Sequence, residues 1–401
     1  MITKPLGEIA DILISNVDKK SKDNEKEVKL CNFVDVYYNW AITANNEKDF
    51  MIATASDTAI DKFTLHKGDV AITKDSETRN DIGVATYISE KLDNVLLGYH
   101  CILIHPNEEI VLGKYLNVVL HSSYAQKYFE ANASGSGQRY TLTDTLVKEM
   151  PIPLPDINIQ RKIGDILSYI DRKIENNNKI NGELESMAKT IYDYWFLQFE
   201  FPNEERKPYK SSGGKMVWNE ELKREIPEGW EVVKIGKILD KYPKTESVLR
   251  DDYEKGILFP IIDQSKYFIC GYTDDKDKVL HLKDAIVFGD HTNFAKYINF
   301  DFARGADGTQ IVVSKNKNLP NYLLYLQIIS LPVIEQGYSR HFKFLKEQFV
   351  FVPNKIVSEK YMKIIEDALL LIKKNIFENR ELSLLRDFLL PMLMNGQIGF
   401  K

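Results

Sequence analysis

The chain has 401 residues, more than one compact core usually holds, so two or more domains are expected. Apolar residues make up 44% and the formal net charge is -5, a balance that supports globular folding and weighs against a surface that is basic throughout, as phosphate binding usually requires. No run of about 18 apolar residues offers a bilayer span, and the first ten residues lack the basic start and apolar stretch of a leader, so a soluble, cytoplasmic chain with no membrane partner is expected.

Charge is unevenly spread: residues 1–150 carry 16 basic against 22 acidic side chains and residues 351–401 carry eight against six. Any phosphate-binding patch is therefore local. Cys31, Cys101 and Cys270 are odd in number, far apart and without metal-ligand spacing, which fits buried thiols in a reducing compartment.

Taken from the N-terminus, Leu6, Gly7, Glu8, Ile9 opens a strand-rich region and recurs as Ile235, Gly236, Lys237, Ile238. So short a match also arises between any two β-rich segments, and the two readings weigh equally. The next match is stronger. Leu65, His66, Asp69 and Asp75 recur at one offset as Leu280, His281, Asp284 and Asp290, each set introducing a β-branched run. Both strand-rich regions close alike, with a basic segment (Gln138, Arg139, Tyr140; Ser339, Arg340, His341), an apolar run and a proline stop. The glycine-rich Ala133–Gly137 lacks a phosphate-loop lysine; it reads equally as a plain loop or as backbone amides that, with Arg139, meet a phosphate.

From Asp156, itself a helix cap or first-turn acid, the apolar spacing becomes a heptad. Ile163, Ile170, Leu184 and Ile191 form one row and Leu167, Ile174, Ala188 and Trp195 the other, predicting a helix over 156–195. Its two central seam positions are Asn177 and Asn181. A shift of 198 residues gives a second helix with Asn375 and Asn379 at the same phase, ending near Leu390 because Pro391 breaks helical bonding. One polar stretch alone reads as a fraying bend; two at one phase read as register devices, since an unpartnered asparagine in an apolar seam is costly. Antiparallel pairing sets Asn177 opposite Asn379 and Asn181 opposite Asn375, and it returns the chain to where each domain begins. Between the halves, Pro202–Gly229 is charged and carries Ser211, Ser212, Gly213, Gly214, the composition of a flexible surface connection.

Enzyme signatures are missing: no Gly-x-x-x-x-Gly-Lys-[Ser/Thr] cradle, no Asn/Asp-Pro-Pro-aromatic methylation motif, and no His-x-x-x-His or Cys-x-x-Cys spacing. No catalytic residue and no metal site is expected.

The arrangement resembles the specificity subunit of type I restriction-modification systems over nearly the whole chain. The resemblance is carried most specifically by Ile152, Pro153, Leu154, Pro155, by Gln160, Arg161, Lys162, Ile163 and by the helix to Trp195 and Phe196. Tyr209–Gly214 and Ile226–Trp230 resemble the join into a second reading domain, whereas Glu359, Lys360, Tyr361 departs from Gln160, Arg161, Lys162.

The resemblance implies an α+β, non-catalytic chain with a pseudo two-fold internal repeat: two β-rich target recognition domains at opposite ends of a long antiparallel two-helix coiled-coil spacer. The domains are expected at 1–155 and 230–355, the spacer helices at 156–200 and 356–401, and a linker at 201–229. It further implies double-stranded DNA as ligand and a bipartite asymmetric site. Two methyltransferase subunits would transfer methyl to adenine N6, and motor-nuclease subunits would complete the complex. S-adenosylmethionine, ATP and magnesium belong to those partners, with no cofactor in this chain.

Recognition domains vary, so base contacts do not transfer by motif, and polar or basic residues beside turns are the candidates. These are Lys74, Arg79, Asn80, Arg139 and Tyr140 in the first domain and His291, Asn293, Lys296, Arg304, Arg340 and Lys343 in the second. Each also reads as an ordinary solvated side chain. The competing reading of the whole is a coiled-coil interaction scaffold that binds no DNA, which the acidic balance favours and the duplicated heads do not.

Overall fold

The computed structural model describes residues 2–135, 138–242, 245–253, 256–306, 308–332 and 341–394. The fold is α+β and divides into two compact units: unit 1 is Met1–Asn177 with Phe377–Lys401, and unit 2 is Asn178–Ile376.

Unit 1 runs β1 (Ile2–Pro5), β2 (Ala10–Ile14), β3 (Lys26–Cys31), α1 (Phe33–Tyr38), β4 (Ala41–Ile42), β5 (Met51–Ala55), α2 (Asp57–Phe63), β6 (Val70–Thr73), β7 (Asp75–Ser76) and β8 (Ala85–Ile88). It continues through β9 (Val95–Leu97), β10 (Cys101–Pro106), α3 (Gly113–Leu120), α4 (Ser123–Asn132), β11 (Ser134–Gly135), β12 (Tyr140–Thr141), α5 (Asp144–Glu149) and β13 (Pro151–Leu154) into α6 (Ile157–Tyr192). Its main sheet has the order β2-β10-β6-β8-β4. The middle strand β6 is Val-Ala-Ile-Thr with all four residues buried, as expected of a strand covered on both faces. A second sheet, β5-β3-β9, and a small one, β11-β12-β7, flank it.

Unit 2 takes the rest of α6, then β14 (Met216–Asn219), β15 (Arg224–Pro227), β16 (Glu231–Lys234), α7 (Ile235–Ile238), β17 (Phe259–Ile262), β18 (Gly271–Thr273), β19 (Val279–Leu280) and β20 (Ala285–Gly289). There follow β21 (Ala295–Ile298), β22 (Phe302–Arg304), β23 (Thr309–Val312), α8 (Asn321–Ile329), α9 (His341–Glu347), β24 (Phe349–Val352) and α10 (Lys355–Met394), whose last part belongs to unit 1. Here too the middle strand, β20 of β21-β20-β23, is wholly buried.

The repeat extends below the level of sequence similarity. In unit 1, β1 pairs antiparallel with β13, Ile2 opposite Leu154; in unit 2, β16 pairs with β24, Glu231 opposite Val352. Gly7 and Gly236, the paired glycines of the short N-terminal match, meet equivalent lysines: a Cβ on Gly7 would lie 3.0 Å from the Lys148 Cβ, and one on Gly236 3.2 Å from the Lys346 Cβ.

The heptad rows of α6 are shared with the globular cores. Ile163, Leu167 and Ile170 enter the unit 1 core beside Ile72, Ile104 and Tyr115, while Ala188, Tyr192 and Trp195 enter the unit 2 core with Tyr361 and Ile365 of α10. Asp156 caps α6, its carboxylate accepting the Asn158 N–H at 2.8 Å. The α-helix ends at Tyr192 and passes into a π-helical turn over Asp193–Leu197 that buries Trp195 and Phe196. Within unit 1, Asn177 Nδ2 donates to Asn379 Oδ1 at 2.9 Å and to Glu378 Oε2 at 2.8 Å. Within unit 2, Asn375 Nδ2 donates to Asn181 Oδ1 at 2.8 Å.

Three local expectations are corrected. Helix α10 does not stop at Leu390 but continues through Pro391 to Met394. A proline inside a helix costs about 3 kcal/mol, and burial of Leu393 in the unit 1 core, with Leu389 and Leu390 packed against it, offsets much of that by about 1.5–3 kcal/mol for a fully buried leucine. The segment 202–229 is not a loose connection: β14 and β15 form a hairpin, Phe201 stacks on Tyr209 at 4.6 Å between ring centroids, and Phe201, Ile226 and Trp230 are buried in the unit 2 core. Aromatic burial there outweighs the surrounding charge. Gly214 serves close packing, since a Cβ would lie 2.4 Å from the Tyr209 ring. Lastly, Cys31 and Cys101 are buried, but Cys270 is only partly so, its thiol donating to Asp263 Oδ1 at 2.8 Å.

Candidate nucleic-acid interface

In unit 1 the connection from β6 to β8 leaves the sheet at Lys74 and makes the two-residue strand β7, which pairs with β12 so that Ser76 opposes Tyr140 and Asp75 opposes Thr141. This pairing brings together residues that lie more than sixty positions apart. Arg79 lies over the Tyr140 ring at 5.1 Å, and Lys74 over the Tyr99 ring at 5.7 Å, both within cation–π range. Asp75 is the hub, its Oδ2 lying 2.6 Å from His100 Nδ1, 3.3 Å from Arg139 Nη2 and 3.7 Å from Lys74 Nζ. With the Nδ1 proton of His100 directed at Asp75, the Arg139 guanidinium is bound by that carboxylate rather than by the imidazole. Burial alone would raise the Asp75 carboxyl, but His100, Thr141, Lys74 and Arg139 together hold it below its ordinary value.

Arg139 keeps 59% of its side chain exposed, so it is held at its base and free at its face. Asn80 lies on the same loop, its carbonyl accepting from Gln126 Nε2 at 3.1 Å. A cleft of about 580 Å³ opens beside these groups, lined by Phe33, Tyr37, Tyr38, Asp81, His100 and Arg139 among others. Tyr37 donates to Asp81 at 2.8 Å, and Tyr38 and Tyr99 are exposed aromatics. His100, Tyr99, Tyr37 and Tyr38 were not among the sequence candidates. Nothing local to the sequence marks them, because strand pairing and the left-handed backbone at His100 (φ 72°) put them here. The site offers guanidinium donors, carboxylate acceptors and flat rings in near balance of charge. That chemistry suits base edges more than phosphates alone.

In unit 2 the equivalent connection is the short turn between β20 and β21, where His291 is exposed and Asn293 adopts a left-handed φ of 59°. The turn is anchored on Gln264, whose side-chain oxygen accepts the His291 N–H at 3.1 Å and whose carbonyl accepts Thr292 Oγ1 at 2.6 Å. Asp290, the repeat partner of Asp75, caps α9 by accepting the Phe342 N–H at 2.8 Å. Lys343 is exposed on α9, and Arg304 is half-buried on β22, donating to the Thr245 carbonyl at 3.2 Å. Arg340 lies outside the described residues, as do Ser136, Gly137 and Ser339.

Lys296 is a correction. It is 6% exposed, and its ammonium donates to the carbonyls of Asp263, at 2.8 Å, and Tyr267, so it is spent on the fold and cannot reach a ligand.

Two similarly built α+β units each present a polar turn from the same strand of their sheet. Comparison with known proteins shows what the chain is similar to. Residues 1–186 match the family described as type I restriction modification DNA specificity domain. The chain is 27% identical over 313 residues to the type I restriction enzyme MjaIX specificity subunit of Methanocaldococcus jannaschii, covering 72% of this chain and 69% of that one. It is 34% identical over 140 residues to the HindI specificity subunit of Haemophilus influenzae, covering 35% and 30%. The crystal structure of a type I restriction-modification S subunit from M. genitalium shares the fold over 98% of this chain and 95% of that one, with a TM-score of 0.52 and 14% identity. Residues 1–186 therefore carry the likeness to the type I restriction modification DNA specificity domain, and over most of its length the chain is similar to specificity subunits of type I restriction-modification systems.

Proposed function

We propose that the chain reads a bipartite, asymmetric double-stranded DNA site, one half with each β-rich unit, while the antiparallel helices α6 and α10 act as the spacer that fixes the distance between the half-sites. The observation that carries this is the structural duplication, which repeats the middle strand, its polar turn and an asparagine pair in both units. In unit 1 the readers are Arg139, Arg79 and Tyr140, with Lys74 and Asn80 beside them; in unit 2 they are His291, Asn293 and Lys343, with Arg304 behind. Arginine suits guanine and asparagine suits adenine through paired hydrogen bonds.

Two methyltransferase subunits bring S-adenosylmethionine, and the target adenine leaves the stack to enter their pocket. Motor-nuclease subunits bring ATP and magnesium. This chain's part is recognition and positioning in the cytoplasm. The test is co-expression with a methyltransferase subunit followed by base-resolution mapping of N6-methyladenine. Exchange of residues 1–150 is expected to change one half of a split motif and leave the other. A stable complex with no methylation and no salt-dependent duplex affinity would overturn this reading in favour of a protein scaffold.

A further inference from the structure

We propose that His66, Asp69 and His105 of unit 1 form a binding site for one divalent transition cation with the ligand preferences of zinc. One donor atom from each of the three lies within 4.8 Å of the others. The sheet builds the site. Val70 of β6 opposes Ile104 of β10, so the next pair outward sets Asp69 against His105, and Asp69 Oδ1 lies 2.7 Å from His105 Nδ1.

A tight turn then returns His66 to the same spot. The Asp69 N–H donates to the His66 carbonyl at 3.1 Å, Gly68 takes a φ of 104°, and Asp69 Oδ2 accepts the His66 N–H at 2.6 Å. The Glu108 carboxylate overlies this turn, 2.7 Å from where a Cβ on Gly68 would stand, and adds negative charge beside the donors. Asp69 is 7% exposed, His105 29% and His66 65%, so two donors are held by the sheet and the third faces the solvent from which an ion would enter. Two imidazoles and a carboxylate are a zinc-type donor set, and bonds of about 2.0–2.2 Å would draw the three together and leave a fourth position for water.

Unit 2 supplies an internal control. His281 and Asp284 repeat the spacing of His66 and Asp69, but continuing the register of Ile286 opposite Val312 places Ser314 where unit 1 has His105. Asp284 is instead used by Tyr297 Oη at 2.9 Å and Asn321 Nδ2 at 2.7 Å, and His281 pairs with Asp301 at 2.8 Å. The His-x-x-Asp spacing is common to both units; among the described residues the second imidazole belongs to unit 1.

The test titrates metal-free full-length chain with zinc chloride against a chromophoric chelator. One zinc per chain is expected in the wild type and in His281→Gln. Affinity should fall by more than the roughly 10–100-fold typical of losing an outer-shell partner in both His66→Gln and His105→Gln. Circular dichroism checks folding, and since His66 is largely exposed, His66→Gln decides the matter if His105→Gln does not fold. Unchanged affinity in His66→Gln, or no stoichiometric binding by the wild type, overturns the proposal.

Discussion

The Asn181–Asn375 hydrogen bond of 2.8 Å joins two helices inside unit 2 at a position where Asn375 is only 4% exposed. Replacing Asn375 with alanine removes the donor and leaves the Asn181 carbonyl oxygen without that partner, at a cost of about 1–3 kcal/mol. Asn181→Ala should cost a similar amount from the other side. The double variant loses one hydrogen bond rather than two, so its destabilisation should fall short of the sum of the singles by about 1 kcal/mol, the net worth of a neutral hydrogen bond. Urea unfolding of the four proteins, with amide exchange on the turns around residues 181 and 375, measures this cycle. Additivity to within about 0.3 kcal/mol would show that the two amides do not depend on each other, and the assignment of a register role to them would fail.

In a complex with methyltransferase subunits, Arg139→Ala should weaken duplex binding by about 1–3 kcal/mol and relax one half-site only, read by filter binding and methylation mapping. Lys296→Met should instead lower the melting temperature, with about 1–3 kcal/mol lost as the carbonyls of Asp263 and Tyr267 lose their partner, and leave DNA affinity unchanged below that temperature. Gly214→Ala should destabilise the hairpin region by about 1–3 kcal/mol through overpacking on Tyr209, read by thermal unfolding.

Acid should act through His121. Burial, aided by the charge of Arg386 and opposed by the Asn117 carbonyl 2.9 Å from Nδ1, pushes its pKa down to about 4. The unfolded chain therefore takes up a proton first, and stability is lost as pH falls from about 6.5 towards 4, by at most about 3 kcal/mol. Burial pushes Asp171 up to about 6, so there the folded state takes up the proton first and gains stability as pH falls from about 6 to 4. Asp171→Asn should steepen the acid loss, followed by urea midpoints between pH 4 and 7.

Periodic features were the most legible. A heptad and a repeat offset are written along the chain, so both helices, the asparagine positions and the duplicated strand β6/β20 follow from spacing alone. What depends on distant segments meeting was not legible. Pro391 reads as a stop until Leu393 is seen buried, and the charged run 202–229 reads as a linker until Phe201 and Trp230 are seen to share a core. Lys296 looks like a DNA contact because nothing near it announces the carbonyls of Asp263 and Tyr267 that hold its ammonium. His105 and His100 escaped notice for the same reason: antiparallel pairing carries each across to Asp69 and Asp75, at separations with no motif.

Unit 1 is discontinuous in the chain while unit 2 is continuous, and this sets an order on biosynthesis. When residue 177 has left the ribosome, the unit 1 core still lacks Leu382, Leu389 and Leu393. At roughly 5–20 residues per second, the last of these is made some 10–40 s later. During that interval unit 2 can close on its own, whereas the first half waits with an apolar face uncovered. Chain shortening from the C-terminal side is therefore felt first in the N-terminal unit, at the opposite end of the sequence from the cut.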